Sequence, residues 1–361
     1  MKQNWEIKEF EDCLEKVIYT KKIQRKDFLD IGEYPIISQE QDFINGYWDN
    51  SGDLFKVKKP IVIFGDHTQV LKYVDFDFVL GADGVKILQP KSNIHPRFFF
   101  YFLQNINLES LGYARHYRLL KQINVHFPKS LPEQQCIVAL LDDAFAAIAK
   151  AKANAEENLK NAKELFESYL QGVFENGNWE TKTLNEISEN LDSKRVPITK
   201  NVRNEGSIPY YGASGIVDYV ADYLFDDDLL CVSEDGANLL ARTYPIAFSI
   251  YGKTWVNNHA HVLKFYNMIS QKFVELYLNS IKLDNFVSGM AQPKLNQTML
   301  NKIPIPYPSL NEQKAIVKKL DALSFETKKI EAIYQQKIND LEELKKSILQ
   351  KAFTGELQSK K

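Results

Sequence analysis

SLPEQQCIVALLD, Ser130 to Asp142, returns as SLNEQKAIVKKLD, Ser309 to Asp321, with eight of thirteen positions identical. Both copies begin Ser-x-x-Glu ahead of an apolar run. Ser130 and Ser309 are therefore placed to accept an amide proton while Glu133 and Glu312 reach back, which marks two helix starts. Pro132 falls in the first turn, where its missing N–H has no intrahelical partner to lose. The offset of 179 positions persists downstream. Ile137, Leu141, Ala144, Ile148, Ala151, Ala155, Leu159, Ala162, Leu165, Tyr169 and Val173 match Ile316, Leu320, Leu323, Thr327, Ile330, Tyr334, Ile338, Leu341, Leu344, Ile348 and Ala352 in the repeat. Steps of three and four residues give each segment one apolar stripe, that of a coiled-coil helix.

The first stripe is rich in alanine and the second mostly carries larger side chains, so the two suit each other better than either suits its own copy. An intramolecular antiparallel pair is expected, each helix roughly 45 residues and on the order of 65 Å long.

Ahead of each helix the repetition continues. NWEIKEFEDCLEKV from Asn4 resembles NWETKTLNEISENL from Asn178; Pro35 and Pro209 keep that spacing, and Lys86-Ile87-Leu88 matches His261-Val262-Leu263. Short β-rich runs, Pro60 to Phe64 and Leu229 to Val232, are punctuated by Gly, Asp and Asn. The expected fold class is α+β: two mixed domains, 1–129 and 178–308, followed by long helices 130–177 and 309–361, the halves related by a pseudo-twofold. Such a body suits a ligand with two separated half-sites, and double-stranded DNA offers them at multiples of about 34 Å.

A chain of 361 residues has room for such domains. No run of about 18 apolar residues is present and MKQNWEIKEF lacks the apolar core of a signal peptide, so a cytoplasmic location without a membrane partner is expected. Cys13, Cys136 and Cys231 lie far apart with no CxxC pair, and are expected to be buried apolar fillers. A net charge of −2 excludes a globally basic nucleic-acid binder but permits a local basic face.

The order and repetition of these elements resemble the specificity subunit of type I restriction-modification systems. The matching elements are IVIFGDHT, GADGVKIL, GYARHYRLLK and SLPEQQ in the first half, and IPYYGASGIVDYV, VSEDGANLL, GKTWVNNHAHVL, SGMAQPKLN and IPIPYPSLNEQ in the second. The resemblance covers nearly the whole chain. It implies a non-catalytic subunit with two target-recognition domains, each reading one half of a split double-stranded DNA sequence. The helices would set the spacer and dock two methyltransferase subunits, and restriction subunits through them. S-adenosylmethionine, ATP and Mg would then belong to partner chains, and Glu133, Gln134, Glu312 and Gln313 would serve helix start and subunit docking.

The residues agree that no catalytic set is visible. An (N/D)PP(Y/F) tetrapeptide is missing, and GKT at Gly252 lacks the first glycine of a phosphate loop because Ala247 stands there. His259 and His261 share a strand face without an evident third ligand, so no metal site is expected.

Candidate DNA contacts are Arg115, His116, Tyr117, Arg118 and Lys121 in the first domain, with Gln292, Lys294 and Asn296 at the equivalent place in the second. These types suit phosphates and base edges. Tyr210, Tyr211, Gly212 and Ser214 form a further loop in which glycine permits close backbone approach. Asp66, His67, Thr68, Ser233, Glu234 and Asp235 follow strands at matching places but rank below the basic sets, since an acid facing DNA is costly. The rival reading is a coiled-coil scaffold that binds only proteins, its loops serving as peptide surfaces.

Overall fold

Ile61–Gly65 is a run of β-branched and aromatic residues buried at every position, as a central strand with both faces covered requires. It pairs antiparallel with Leu71–Val74 on one side and Val85–Leu88 on the other. Leu229–Ser233 repeats the pattern, fully buried between Ala247–Ile250 and Ala260–Phe265. The structure is a computed structural model and describes residues 4–112, 114–289, 291–354 and 356. Tyr113 of GYARHYRLLK and Met290 of SGMAQPKLN lie outside the described residues.

The chain divides into two compact units, 1–155 with 336–361, and 156–335. In the first, a second sheet orders Lys22–Ile23, Phe78–Gly81, Tyr34–Ile37 and Gly46–Trp48, with Leu54–Phe55 also pairing on Phe78–Gly81. In the second, Glu205–Gly212 pairs antiparallel with Gly215–Val220 and parallel with Lys253–Val256, which also receives Phe225–Asp226. Ser188–Asn190 adds a fourth strand beside Ala260–Phe265 in the second unit, and a short helix packs into the core of each sheet, Pro96–Asn105 and Met268–Ser280. The repeated NWE stretch is the entry strand, closed onto the strand that leaves the domain. Trp5–Glu9 pairs with Asn124–Pro128, and Thr181–Lys182 with Ile305–Pro306.

The long helices run over Leu131–Glu175 and Leu310–Thr354. Each unit holds part of both. In the first unit Ile137, Val138 and Leu141 share a core with Leu349 and Ala352. Further along, Lys152 Nζ meets Glu342 Oε1 at 2.5 Å, so residue numbers rise on one helix as they fall on the other, the antiparallel sense expected. In the second unit Leu170 and Phe174 join a core with Val317 and Leu320. The structure corrects part of the stripe. Leu165 is 66% exposed, and Ile330 and Leu344 are also exposed. Past Ala162 the first helix faces two neighbours: Tyr169 and Val173 border Ala315, Ile316 and Leu320, while Phe174 meets Phe273 at 5.4 Å and Tyr277 at 5.2 Å between ring centroids. Serving both turns the buried face onto Phe166, Leu170 and Phe174 and leaves Leu165 outside.

The two helix starts differ. Ser309 and Glu312 close the box: the Ser309 amide and hydroxyl both donate to Glu312 Oε2, at 3.0 and 2.6 Å. At Ser130 the backbone carbonyl takes the amides of Glu133 and Gln134 instead. Cys13 and Cys231 are buried as expected, but Cys136 is exposed because it falls on the outer face of its helix.

Leu141→Ala, which empties a fully buried position of the shared core, is expected to cost about 2–5 kcal/mol in urea unfolding. Leu165→Ala is expected to cost about 0.5 kcal/mol or less. Equal losses at both positions would contradict the register described.

Candidate functional site

Gln134 and Gln313 are buried, which removes them from any docking surface and corrects that assignment. Each clamps a helix start to its domain. Gln134 Nε2 donates to the carbonyls of Pro128 (2.7 Å) and Asn93 (3.0 Å), and its Oε1 accepts the His95 amide at 2.7 Å. Gln313 Nε2 donates to the Pro308 carbonyl at 2.8 Å, and its Oε1 accepts from the Ser270 hydroxyl at 2.7 Å. Glu133 and Glu312 remain at the helix starts with solvent access.

The first basic cluster is brought together only in part. Arg115 and Arg118 are exposed. Lys121 is engaged by Glu11 at 2.6 Å and lies 5.5 Å from the Tyr117 ring centre. Tyr117 is half-buried, edge-on to Phe10 at 6.1 Å, and burial pushes its hydroxyl above the ordinary value. His116 is buried and presents no edge to a ligand, a second correction. Its Nε2 lies 3.0 Å from the Leu111 amide and its Nδ1 3.1 Å from the Asp66 carbonyl.

What holds this loop is Asp66, at the end of the central strand. Its carbonyl accepts the His116 amide at 2.7 Å, and its carboxylate accepts the Tyr117 amide at 2.7 Å and faces Lys86 Nζ at 3.7 Å. The second unit repeats the latch. The carbonyl of Glu234, one residue beyond Leu229–Ser233, accepts the Leu295 amide at 2.8 Å. His116 and Leu295 are 179 positions apart, the offset of the repeated helix starts.

Around Glu234 lies a charge network that sequence reading missed. Arg195 Nη1 meets Glu234 Oε2 at 2.7 Å, and Lys294 Nζ meets Glu234 Oε1 at 3.3 Å. Arg195 Nη2 lies 3.5 Å from Asp192 Oδ2, and His261 Nδ1 lies 2.6 Å from the same oxygen. A carboxylate oxygen each of Asp192 and Glu234 and a ring nitrogen of His261 lie within 4.8 Å of one another, a grouping without His259 that the histidine spacing did not disclose. Arg195 already supplies the positive charge these acids need, so the arrangement is an ion-pair network. His259 lies in the turn before the strand and pairs with Asp235 at 2.8 Å. No signal in LDSKR distinguishes Asp192 and Arg195 from ordinary loop charges, because their partners lie far along the chain.

The tyrosine loop also meets this strand end. Tyr210 is buried, its hydroxyl accepting the Ile198 amide at 3.0 Å with Arg203 over its ring at 4.2 Å, so it is structural and not a DNA contact. Tyr211 is half-buried, stacked on Phe248 at 5.9 Å. Gly212 pairs with Gly215 across a turn that exposes Ser214, and Gly215 has φ +114°, which favours glycine. The buried Ser233 hydroxyl donates to the Ala213 carbonyl, tying that turn beside Glu234. Gln292 is exposed; Asn296 caps Gln297–Leu300 by accepting the Met299 amide at 3.0 Å. The acids ranked last by sequence are thus the anchors, and the exposed Arg115, Arg118, Ser214, Gln292 and Lys294 are what the anchors hold.

Burial alone would raise the Asp192 carboxyl. The hydrogen bond and charge of His261, the Val262 amide and Arg195 together hold it below 3.8. A lowered carboxylate contributes stability above its unfolded value and loses it as pH falls through the folded one. Asp192→Asn is expected to cost about 1–3 kcal/mol at neutral pH, and the gap in urea midpoint should close as pH falls below 3.8. A gap that stays constant would show that the Asp192 charge does not stabilise the fold.

Comparison with known proteins gives a consistent picture. The family described as "Type I restriction modification DNA specificity domain" matches residues 2–159 and again 176–343. A putative type I restriction enzyme specificity subunit of Haemophilus influenzae is 36% identical over 157 residues, 44% of this chain and 40% of that protein. The type I restriction enzyme EcoR124I/EcoR124II specificity subunit of Escherichia coli is 26% identical over 83% of this chain and 81% of its own. A solved structure concerned with assembly and conformational transition of a type I restriction-modification system superposes with TM-score 0.75 at 16% identity, covering 99% of both chains. The HsdS subunit from Thermoanaerobacter tengcongensis gives 0.57 at 16% identity, covering 99% of this chain and 98% of its own. These superpositions speak for the fold. With both halves matched, the chain belongs to the type I restriction-modification DNA specificity family, as a specificity subunit and not a catalytic one.

Proposed function

We propose that the two units read the two halves of a split double-stranded DNA target, one loop set in each. The observation that carries this reading is the repeated latch: at matching strand ends an acid fixes the backbone of a loop whose outward residues differ, Arg115 and Arg118 in one, Gln292 and Lys294 in the other. Arginine and lysine bind guanine edges or phosphates, and glutamine suits adenine, so unlike sequences are the natural targets of unlike loops. Base edges supply the specificity and phosphate contacts the position.

On this reading two methyltransferase subunits dock on the long helices, restriction subunits join through them, and S-adenosylmethionine, ATP and Mg are bound by those partners. Apolar side chains left outside the helix pairing support docking: Phe325 is 59% exposed and Ile333 65%. The setting is the cytoplasm, where the DNA is.

The test is to co-express the chain with its methyltransferase in a host without adenine methylation and to sequence the genome for modified adenines. A motif of two short specific halves separated by a fixed gap is expected. Methylation without such a motif, or none from an assembled complex, would favour the protein-binding scaffold. In the assembled complex, Arg115→Ala with Arg118→Ala should flatten the dependence of log affinity on log salt by about 0.9 for each phosphate that the doubly substituted chain leaves unneutralised.

A further inference from the structure

In the second unit the two ring nitrogens of His261 both face groups that only accept. The ring is 1% exposed. Nδ1 lies 2.6 Å from Asp192 Oδ2 and 3.8 Å from Glu234 Oε2, and Nε2 lies 2.7 Å from the Leu295 carbonyl. A neutral imidazole has one N–H and one lone pair, so it satisfies one of these acceptors and turns a lone pair on the other. An imidazolium satisfies both.

We propose that His261 is the positioning residue of the second recognition loop, an imidazolium whose two N–H groups tie Leu295 to the Asp192–Glu234 pair. This rests on the reading of residues 288–296 as a DNA-reading loop. The charged groups facing the ring fit the assignment. Asp192 and Arg195 come from the turn after Ser188–Asn190, Glu234 from the end of Leu229–Ser233, and Lys294 from the loop itself. Cys231 lies near Asp192 and Arg195, its thiol pushed up by burial, so it adds no charge. Asp235 is engaged by His259 next door. Asp192 also has Arg195 and the Val262 amide at 2.8 Å, whereas among these groups only His261 donates to the Leu295 carbonyl.

The first unit supplies an internal contrast. Lys86 occupies the strand position matching His261, 3.7 Å from Asp66 and 5.2 Å from the Tyr117 ring centre. Its loop histidine has the opposite need: His116 Nε2 accepts the Leu111 amide while Nδ1 donates to the Asp66 carbonyl, the pattern of a neutral ring. Asp66, Lys86 and Tyr117 are the ionisable groups around it.

The experiment uses the full chain labelled with 15N-histidine, His261 being assigned by loss of its signals in His261→Gln. At neutral pH, 15N spectra should show two protonated nitrogens for His261 and one for His116. Hydrogen exchange at neutral pH, corrected for intrinsic rates, should show protection of 288–296 about tenfold to a hundredfold lower in His261→Gln than in the wild type, the loss of one charge-assisted bond. Leu229–Ser233 should stay protected in His261→Gln as evidence of folding. A single protonated nitrogen on His261 at neutral pH, or 288–296 protection indifferent to the substitution, overturns the proposal. In the assembled methyltransferase complex, His261→Gln should relax base preference in one half of the split motif alone. Both halves unchanged despite a loosened loop would overturn its role in recognition. A wild type without any split motif would overturn the DNA reading of the whole chain, and the exchange arm decides the latch in either case.

Discussion

Two buried glutamines set the frame in which everything else works. Gln134 and Gln313 sit in the first turn of each long helix, with their side-chain amides spent on carbonyls at the exit of the last strand and on a donor from the short covering helix. A buried amide left without these partners would cost about 1–3 kcal/mol per unsatisfied group, so the helix leaves its domain in one direction. Arg97 and Tyr101 add a second grip on the first helix through Asp142, Arg97 Nε lying 2.8 Å from its carboxylate. A helix anchored at its start holds its first turns in a fixed orientation to the domain it leaves.

The loops are held on another principle. At each central strand end a backbone carbonyl takes an amide from the loop, and the side chain of the same acidic residue gathers a cation nearby. Asp66 does so with one lysine and the Tyr117 amide; Glu234 needs Arg195, Lys294 and, through Asp192, His261. The longer glutamate stands further from its strand, and the larger network fills that reach. Buried acids are tolerable here because each is answered by charge or by N–H groups.

The repeated helix start, its Ser-x-x-Glu signal and the stepping of apolar residues are legible because they are local: spacing along the chain is spacing along the helix. The stripe misleads at Leu165, where the helix acquires a second neighbour that periodicity cannot announce. Polarity alone marks His116, Tyr210, Gln134 and Gln313 as surface groups, yet each is buried with its hydrogen bonds made inside. Asp192 lies 69 positions before His261 in sequence and touches it in space, a coincidence created by the sheet. Helices are encoded by short-range pattern, whereas the site is encoded by strand order.

The same contrast accounts for why helix starts agree between the halves while loops do not. Each long helix must fit the domain it leaves and the other helix it pairs with, so most changes to its buried face are felt twice. Each loop is held by an amide at His116 or Leu295 and a carbonyl at Asp66 or Glu234, groups that every residue except proline supplies equally well. Side chains between the anchors are then free to differ without loss of the fold. A scaffold of this kind separates the requirement to fold from the choice of side chains that the two loops present.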